Sequence, residues 1–243
     1  MQITRSRTAP ALVGLALLAP ATAYAATIDG GPGNERLRGT NAADTINGND
    51  GNDRIFARQG PDQLSGGNGR DRIFGGAGDD TSSGGDGRDR IHGGAGNDTS
   101  SGDAGHDRMS GGRGDDTQNG GAGDDVIFAN VGQDTSSGGD GDDVLWAMAR
   151  KDVAPGPGVD QVGDTLDGGN GNDRFRTRDG EVDRITCGAG DRDRAILDQV
   201  DVITDATAEN PNGSCERVDR RAPRSRGSPR SRRMRRLPLR PIR

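Results

Sequence analysis

The sequence predicts an all-β solenoid, and three observations support this fold class. Residues 30–146 divide into thirteen consecutive blocks of nine residues with no insertion or deletion. Position 4 of the block is glycine in twelve of the thirteen blocks, and position 6 is aspartate in twelve. Hydrophobic residues make up only 28% of the chain and aromatic residues 2%, too few for a conventional globular core. A strict short period in such a chain indicates stacked repeats, because each repeat can bury apolar surface only against its neighbours.

Each block combines a turn with a very short strand. Glycines at positions 1 and 4 permit positive φ and close backbone approach, so we expect the first six residues to form a tight turn. The last three residues should form a strand whose middle side chain, at position 8, points inward. Two blocks then complete one coil of 18 residues. Turns that stack on each other come from blocks two apart, such as 66–74 and 84–92.

Stacking gathers the position-6 aspartates into two columns. The odd-numbered blocks supply Asp53, Asp71, Asp89, Asp107, Asp125 and Asp143, and the even-numbered blocks supply Asp44, Asp62, Asp80, Asp98, Asp116 and Asp134. Stacked strands lie about 4.8 Å apart, and two carboxylates at that distance repel by about 1 kcal/mol in water and more in a drier site. Carboxylates combined with backbone carbonyls suit Ca²⁺. We therefore predict Ca²⁺ ions between stacked turns. The alternative is that each aspartate only caps its own turn.

The block consensus G-G-x-G-x-D-x-U-x is clearest in residues 66–101 and resembles the calcium-binding nonapeptide repeats of RTX (hemolysin-type) proteins. The resemblance implies a right-handed parallel β-roll that binds several Ca²⁺ ions. It implies ligation by the twelve aspartates, by Asp173 in the later block 168–176, and by glycine carbonyls. The implied carbonyl donors are those of Gly66, Gly69, Gly75, Gly78, Gly84, Gly87, Gly93 and Gly96. Gaps that would use Glu35, Ala42, Pro61 or Gln133 depart from the pattern.

The inward position differs between the two kinds of block. Odd-numbered blocks place aliphatic residues there: Leu37, Ile55, Ile73, Ile91, Met109, Ile127 and Leu145. Even-numbered blocks begin with Ile46 and Leu64 and then change to Ser82, Ser100, Gln118 and Ser136. We therefore expect a thin core that is apolar on one side and mostly polar on the other. Such a core makes metal binding an important source of folding free energy.

The outward positions differ as well. Odd-numbered blocks carry Arg36, Arg54, Arg72, Arg90 and Arg108 at position 7 and Phe56, Phe74, Phe128 and Trp146 at position 9. This stripe either packs against a flanking segment or binds a partner. Even-numbered blocks carry Thr45, Thr81, Thr99, Thr117 and Thr135 beside Asn47, Ser83, Ser101, Asn119 and Ser137. This ladder resembles the faces of ice-binding β-solenoids, although threonine also suits any solvated strand.

The first 25 residues have the features of a secretory signal peptide. Arg5 and Arg7 precede the apolar stretch 9–19, and Ala23-Tyr24-Ala25 fits a small-x-small cleavage site. Because the apolar stretch is short for a transmembrane helix, an N-terminal anchor or buried helix is the weaker alternative. Cleavage after Ala25 would leave an exported chain, in a compartment where even a weak calcium site fills.

The period weakens after Trp146. We predict that the calcium-binding roll spans 26–146, that 147–158 is a loop insertion with two prolines, and that 159–198 holds degenerate repeats. In these repeats Asp164, Asp173 and Asp183 fall at the aspartate position. The chain has two cysteines, Cys187 and Cys215, which in an exported protein indicate a disulfide that caps the solenoid through residues 199–219. A metal site or a reactive thiol is the alternative.

Residues 220–243 are predicted to be a disordered tail rich in arginine and proline. The tail holds 11 arginines and no acid, so residues 1–219 contain 21 basic and 38 acidic residues and carry a net charge of −17. The tail is either simply solvated or attaches to an anionic envelope polymer, a lipid or a nucleic acid. No aromatic residue lies among its arginines, so base stacking is not indicated.

The sequence argues against an enzyme. The chain has two histidines, His92 and His106, both inside repeats, and it has neither an H-E-x-x-H nor a G-x-S-x-G motif. We therefore predict a secreted, non-enzymatic calcium-binding protein with a structural or adhesive role at a cell surface or matrix. Three alternatives remain: an ice- or mineral-surface binder using the threonine ladder, an envelope- or nucleic-acid-binding protein using the tail, and a repeat appendage of a separate enzyme.

Overall fold

A computed structural model of the chain describes residues 24–147, 163–177, 181–207, 210 and 213–221. These residues form twenty β-strands in two ten-stranded parallel sheets, and they contain no helix. The chain alternates between the sheets, so neighbouring strands of one sheet are two strands apart in sequence. The structure thus confirms the predicted all-β parallel solenoid with coils of about 18 residues.

The even-numbered blocks form one sheet, here named the threonine sheet. Its strands are β1 (Thr27–Asp29), β3 (Thr45–Gly51), β5 (Gln63–Gly69), β7 (Thr81–Gly87), β9 (Thr99–Gly105), β11 (Thr117–Ala122), β13 (Thr135–Asp140), β15 (Thr165–Asn170), β17 (Arg184–Thr186) and β19 (Val202–Ile203). The odd-numbered blocks form the other, the arginine sheet. Its strands are β2 (Arg36–Arg38), β4 (Arg54–Gln59), β6 (Arg72–Ala77), β8 (Arg90–Ala95), β10 (Arg108–Arg113), β12 (Val126–Val131), β14 (Val144–Trp146), β16 (Arg174–Arg176), β18 (Arg194–Leu197) and β20 (Arg217–Arg220).

The central strands are six or seven residues long and not three as the sequence led us to expect. In β5 and β7 the pairing continues from Ser65↔Ser83 through Gly67↔Gly85 to Gly69↔Gly87. The reason is the unbroken 18-residue spacing, which keeps the backbone of the turns in register as well as that of the strands. The strand hydrogen bonds therefore continue through positions 2 to 4 of the block, which the pattern of a single block assigns to a turn.

The core is a ladder of apolar side chains between the sheets. In the arginine sheet, all the inward side chains from Ile55 to Leu145 are at most 2% exposed. In the threonine sheet the middle coils place Ser82, Ser100, Gln118 and Ser136 inward, as predicted. With its amide oriented to satisfy both neighbours, the Gln118 side chain donates to the carbonyl of Phe128 (3.1 Å) and accepts from the N–H of Gly111 (3.0 Å). Gln118 thus replaces an apolar contact between the sheets with hydrogen bonds.

Strand pairing continues past the break in the period. Strands β15 and β16 pair with β13 and β14, and further pairs lead to β19 and β20. The predicted disulfide is present, joining Cys187 to Cys215 with their Cα atoms 5.2 Å apart. Arg220 lies in β20, so regular structure reaches into the segment that the sequence assigned to the tail.

Three predicted segments fall mostly outside the described residues. These are the signal peptide 1–25, the loop 147–158 and the arginine-rich tail 220–243. Among the residues that are described, no helix has the length and apolar character needed to span a bilayer.

Candidate metal centre

The twelve position-6 aspartates form two columns, one along each edge of the solenoid. Each is at most 2% exposed. Each precedes the first residue of a strand, and the backbone carbonyl of that aspartate accepts a hydrogen bond from the next coil, as in Arg90 N–H to Asp71 O at 3.0 Å. The structure therefore brings together the residues that the nonapeptide spacing predicted to stack.

One carboxylate oxygen of each aspartate binds the preceding coil. The Oδ1 atom of Asp71 accepts the N–H of Asp53, and the Oδ1 atom of Asp89 accepts the N–H of Asp71, both at 2.7 Å. The same bond recurs along both columns with N···O distances of 2.6–3.0 Å up to Asp173. These bonds run between coils and not within one turn, so each aspartate has a role in stacking beyond capping its own turn.

The second oxygen is buried without a hydrogen-bond partner in most members. This holds for Oδ2 of Asp53, Asp62, Asp71, Asp80, Asp89, Asp98, Asp107, Asp116, Asp125, Asp143 and Asp173. An unpaired buried oxygen is costly, and an unpaired buried charge more so. A repeated orphan at one position indicates a partner that is not part of the chain, either a cation or a proton. Capping of the aspartate's own turn explains neither the bond of Oδ1 to another coil nor the burial of Oδ2.

Asp44 differs from the other members. Its Oδ2 accepts the N–H of Thr40 at 2.5 Å, and its Oδ1 accepts the N–H of Ala26 at 2.6 Å. Burial acts to raise the pKa of Asp44, but the hydrogen bonds from Thr40 and Ala26 outweigh it and lower the pKa below the usual value. Asp44 is therefore the weakest ligand candidate of the twelve, although the repeat pattern ranked it with the rest.

Burial raises the pKa of the central aspartates. The pKa reaches about 7 for Asp80, Asp89, Asp116 and Asp143, and about 6 for Asp98, Asp107, Asp125 and Asp173. Desolvation is the main cause in each, and the bond from the neighbouring N–H partly offsets it. Repulsion between stacked carboxylates adds to the rise, as Asp71 and Asp107 do for Asp89. A bound cation would reverse both effects and keep the columns ionised.

Beside the buried aspartates, the exposed side chains at position 5 also stack from coil to coil. Here the N–H of Asn97 donates to Asp79 Oδ1 (2.8 Å), and the N–H of Asp115 donates to Asn97 Oδ1 (2.9 Å). The direction is opposite to that at position 6, because here the later coil donates. The carboxylates of Asp79 and Asp115 raise the pKa of the buried neighbours Asp80 and Asp116 further. The edge is thus more acidic than the twelve aspartates alone would make it.

Backbone carbonyls lie close to the unpaired Oδ2 atoms of the aspartates, next to the glycine at position 1 of the block. A Cβ placed on Gly84 would lie 2.6 Å from Asp89 Oδ2 and 2.7 Å from the carbonyl oxygen of Gly102. The same pair of oxygens meets at Gly66, Gly75 and Gly93, where the carbonyls come from Gly84, Gly93 and Gly111. The carbonyl of Gly66 likewise lies beside Asp53 Oδ2, at Gly48, so three predicted donors, Gly66, Gly84 and Gly93, are next to a carboxylate. The position-4 carbonyls of Gly69, Gly78 and Gly87 instead stack against the glycine of position 4 in the next coil, and their role as donors stays a prediction.

Side chains alone do not form a metal cage in the described part of the chain. No group of three or more His, Cys, Asp or Glu side chains converges there. An ion at these turns must then take most of its ligands from peptide oxygens. Ca²⁺ accepts such ligands readily, whereas Zn²⁺ prefers nitrogen and sulfur. The donor set fits calcium.

The columns extend beyond the residues that the sequence identified. The N–H of Asp143 donates to Asp173 Oδ1, the N–H of Asp173 donates to Asp193 Oδ1, both at 2.8 Å, and the N–H of Asp193 donates to Glu216 Oε2 at 2.6 Å. In the other column, the N–H groups of Asp134, Asp164 and Asp183 donate in the same way to Asp164, Asp183 and Asp201.

Sequence reasoning missed Asp193, Asp201 and Glu216. A signal for Asp193 was available, because C-G-A-G-D-R-D (187–193) keeps the glycines of positions 2 and 4 and adds one residue before the aspartate. Gly188 has a positive φ of 91°, like Gly169 in the coil before it. Cys187 then occupies position 1, and its carbonyl lies at Gly168 as a glycine carbonyl does elsewhere.

A family model described as the RTX calcium-binding nonapeptide repeat (4 copies) matches residues 29–64, 57–91, 75–109, 83–118, 110–145 and 163–181, more than half of the chain. No curated protein matches the chain.

Proposed function

Because the chain belongs to the RTX calcium-binding nonapeptide repeat family, whose repeats bind multiple Ca²⁺ ions, we propose that it is an exported, non-enzymatic protein that folds as it binds calcium. The observation that carries this proposal is the second carboxylate oxygen, Oδ2, of the position-6 aspartates. In most of them it is buried without a hydrogen-bond partner, next to the glycine of position 1 and a peptide carbonyl. A divalent ion there would satisfy both oxygens and offset the repulsion along the column.

The ligands that we propose are the position-6 aspartates from Asp53 to Asp143, together with Asp173 and Asp193. All have buried side chains and share the inter-coil hydrogen bond. Peptide carbonyls at position 1 would complete the shell. Asp44 is the exception, because both of its oxygens already accept hydrogen bonds from the chain.

Coupling between calcium and folding follows from the composition of the core. The threonine sheet contributes serine and glutamine to the interior of four successive coils, so apolar burial there is small. The acidic columns oppose folding at neutral pH when no cation is present. Calcium would therefore supply free energy that burial does not.

Export and a non-enzymatic role are supported by separate features. Export is supported by the signal-like segment 1–25, by the Cys187–Cys215 disulfide and by the typically extracellular location of RTX proteins. Both histidines lie on the outer surface of repeats: His92 contacts the ring of Phe74, and His106 Nδ1 accepts the N–H of Asp124 (2.8 Å) at an exposed edge. An extended, repetitive surface of this kind suits a structural or adhesive role.

We expect Asp89→Asn to weaken calcium binding while stabilising the calcium-free protein. The asparagine keeps the oxygen that accepts the N–H of Asp71 but loses the charge, and its new NH₂ faces the carbonyl of Gly102. The bound-ion count from equilibrium dialysis should fall by at least one. In calcium-free urea titrations at about pH 5.5, where the calcium-free roll is expected to be more stable than at neutral pH, the free energy of unfolding should rise by about 1–3 kcal/mol.

The matched control is Asp86→Asn, which removes the same charge from an exposed side chain three residues earlier. It should leave the ion count unchanged. An Asp89→Asn protein that binds as many ions as the wild type, with the same midpoint, would show that the assignment of ligands is wrong.

The threonine ladder supports a second candidate function, binding to ice or to a mineral surface. Thr81, Thr99, Thr117, Thr135 and Thr165 follow one another in register along the threonine sheet. All five are exposed. A calcium-loaded protein that shows no thermal hysteresis and does not adsorb to mineral would remove this candidate.

A further inference from the structure

Two hydrogen bonds hold Ala26 to the next coil of the solenoid. The N–H of Ala26 donates to Asp44 Oδ1 at 2.6 Å, and the carbonyl of Ala26 accepts the N–H of Thr45 at 2.8 Å. When the nine-residue period is extended back to block 21–29, Ala26 occupies position 6. Its N–H bond is therefore the bond that later position-6 residues give to the next coil, with alanine in the place of the aspartate.

The sequence places the predicted signal cleavage at the same nitrogen atom. The small-x-small pattern Ala23-Tyr24-Ala25 predicts that a signal peptidase hydrolyses the peptide bond between Ala25 and Ala26. Hydrolysis adds water to this bond: the released segment keeps the carboxylate of Ala25, and Ala26 keeps the nitrogen as a free amine that takes up a proton. A sequence pattern and a hydrogen bond, observed independently, thus meet at the nitrogen of Ala26.

Asp44 is a buried carboxylate without a cation in contact. Its side chain is 2% exposed, and among the described residues it forms no ion pair with a basic side chain. Arg58 acts on it electrostatically, but from beyond ion-pair distance. Burial acts against ionisation, but hydrogen bonds from Thr40 and Ala26 keep the pKa of Asp44 below its usual value. The carboxylate is therefore charged at neutral pH, and a positive charge on the nitrogen of Ala26 would be in direct contact with it.

This turn offers calcium less than the later turns do. Thr40 stands at position 2, where most blocks have glycine, and its N–H donates to Asp44 Oδ2 at 2.5 Å while its hydroxyl donates to Asp44 Oδ1 at 2.9 Å. The preceding coil adds no second carboxylate, because Ala26 stands at position 6. The odd-numbered column differs here, since Glu35 Oε2 is buried without a hydrogen-bond partner. A divalent ion prefers several free oxygens, so a single-charged N–H donor fits Asp44 better.

We propose that removal of the signal segment creates an ion pair between the α-ammonium group of Ala26 and the carboxylate of Asp44, which closes the even-numbered aspartate column without calcium. The inference rests on the export proposed above. Before cleavage the nitrogen is a peptide amide and donates one neutral hydrogen bond. After cleavage the bond is charge-assisted and roughly twice as strong. The first coil therefore reaches its full stability only in the processed protein.

The direct test compares two chains that differ by two native residues, 26–243 and 24–243. In the longer chain Ala26 keeps its hydrogen bond to Asp44 but carries no charge, so the comparison isolates the α-ammonium group. In saturating calcium, we expect the N–H of Thr45 to exchange with deuterium at least about tenfold faster in 24–243, measured by nuclear magnetic resonance. As the control, the N–H of Thr117 makes the same bond to Asp98 (2.8 Å) in a central coil and should exchange equally in both chains.

Chemical labelling of the amine gives a second readout. After cleavage the chain has two amines, the α-amine of Ala26 and the side chain of Lys151, which is the one lysine in the sequence. In calcium, acetylation of Ala26 relative to Lys151 should be at least about tenfold slower in the wild type than in Asp44→Asn, because the carboxylate keeps the amine in its protonated, unreactive form. The matched control Asp50→Asn removes an exposed carboxylate and should be labelled like the wild type.

Three results would overturn the inference: an exported protein whose first residue is not Ala26 by N-terminal sequencing, equal exchange of the Thr45 N–H in the two chains, or equal labelling of Ala26 in the wild type and in Asp44→Asn. Circular dichroism in calcium separates this inference from the proposed function. A wild type that folds with calcium but gives one of these results contradicts only the ion pair. A chain that is not exported, or that calcium does not order, contradicts the proposed function itself.

Discussion

Replacing Gly105 by alanine should disrupt the middle of the solenoid even when calcium is saturating. Gly105 has a φ of 143°, and a Cβ added to it would overlap the carbonyl oxygen and carbon of Gly87 in the coil before. That carbonyl is backbone, so neither group can move without separating the coils. We expect the free energy of unfolding in calcium to fall by about 4 kcal/mol or more, measured by urea denaturation followed by circular dichroism.

Gly31→Ala is the matched control for this substitution. Gly31 lies in the first coil, and the nearest atom to an added Cβ is Glu35 Oε1 at 3.5 Å, an ordinary contact. The control should cost less than about 1 kcal/mol, because Glu35 Oε1 is the only atom of the described residues outside its chain neighbours within 4 Å of the added Cβ, and the backbone is not in the left-handed region. Equal stability of the two variants would show that the coils are not packed at the spacing described above.

Acidification should stabilise the calcium-free protein and release calcium from the loaded one. In the folded chain the pKa of Asp80, Asp89, Asp116 and Asp143 is raised to about 7, from a usual value of 3.8. Between these values the folded state binds more protons than the unfolded state, so its stability falls as the pH rises. We therefore expect the calcium-free roll to be most stable near pH 4, to weaken progressively up to about pH 7, and to change little above that.

Calcium reverses this dependence because it competes with protons for the same oxygens. The calcium-loaded protein should keep its ions above pH 7 and lose them as the pH falls toward 5. Urea denaturation at a series of pH values, with and without calcium, measures both trends. A triple variant with Asp80→Asn, Asp89→Asn and Asp143→Asn should show a flatter calcium-free profile. A calcium-free wild type that gains stability as the pH rises from 4 to 7 would contradict the assignment.

The unbroken period made the central part of the fold predictable. In residues 30–146, one alignment of nine residues correctly placed the inward Ile73 and the stacked Asp71. The sequence did not reveal that position-2 to position-4 backbones join the ladder, because a single block gives no information about the coil above it. The pattern also could not predict that Oδ1 accepts an N–H of the preceding coil while Oδ2 lies next to the position-1 glycine, since this depends on the orientation of the aspartate side chain.

Prediction failed where the period slipped. A single extra residue, Arg192, moved Asp193 out of the expected position, although the hydrogen bond from Asp173 shows that it continues the column. Glu216 is separated from the preceding coil by a segment without repeat character, and only the fold places it next to Asp193. Asp44 shows the opposite case: it fits the motif, but the unusual neighbour Thr40 occupies its second oxygen.

The most direct test of this account is far-ultraviolet circular dichroism of the purified protein at pH 7.5 during a calcium titration, followed by excess EGTA. We predict little β-structure without calcium, a cooperative gain of parallel β-structure as calcium is added, and loss of that structure when EGTA removes it. A spectrum with the same β-content in EGTA as in calcium would contradict the claim that divalent ions hold the two aspartate columns together.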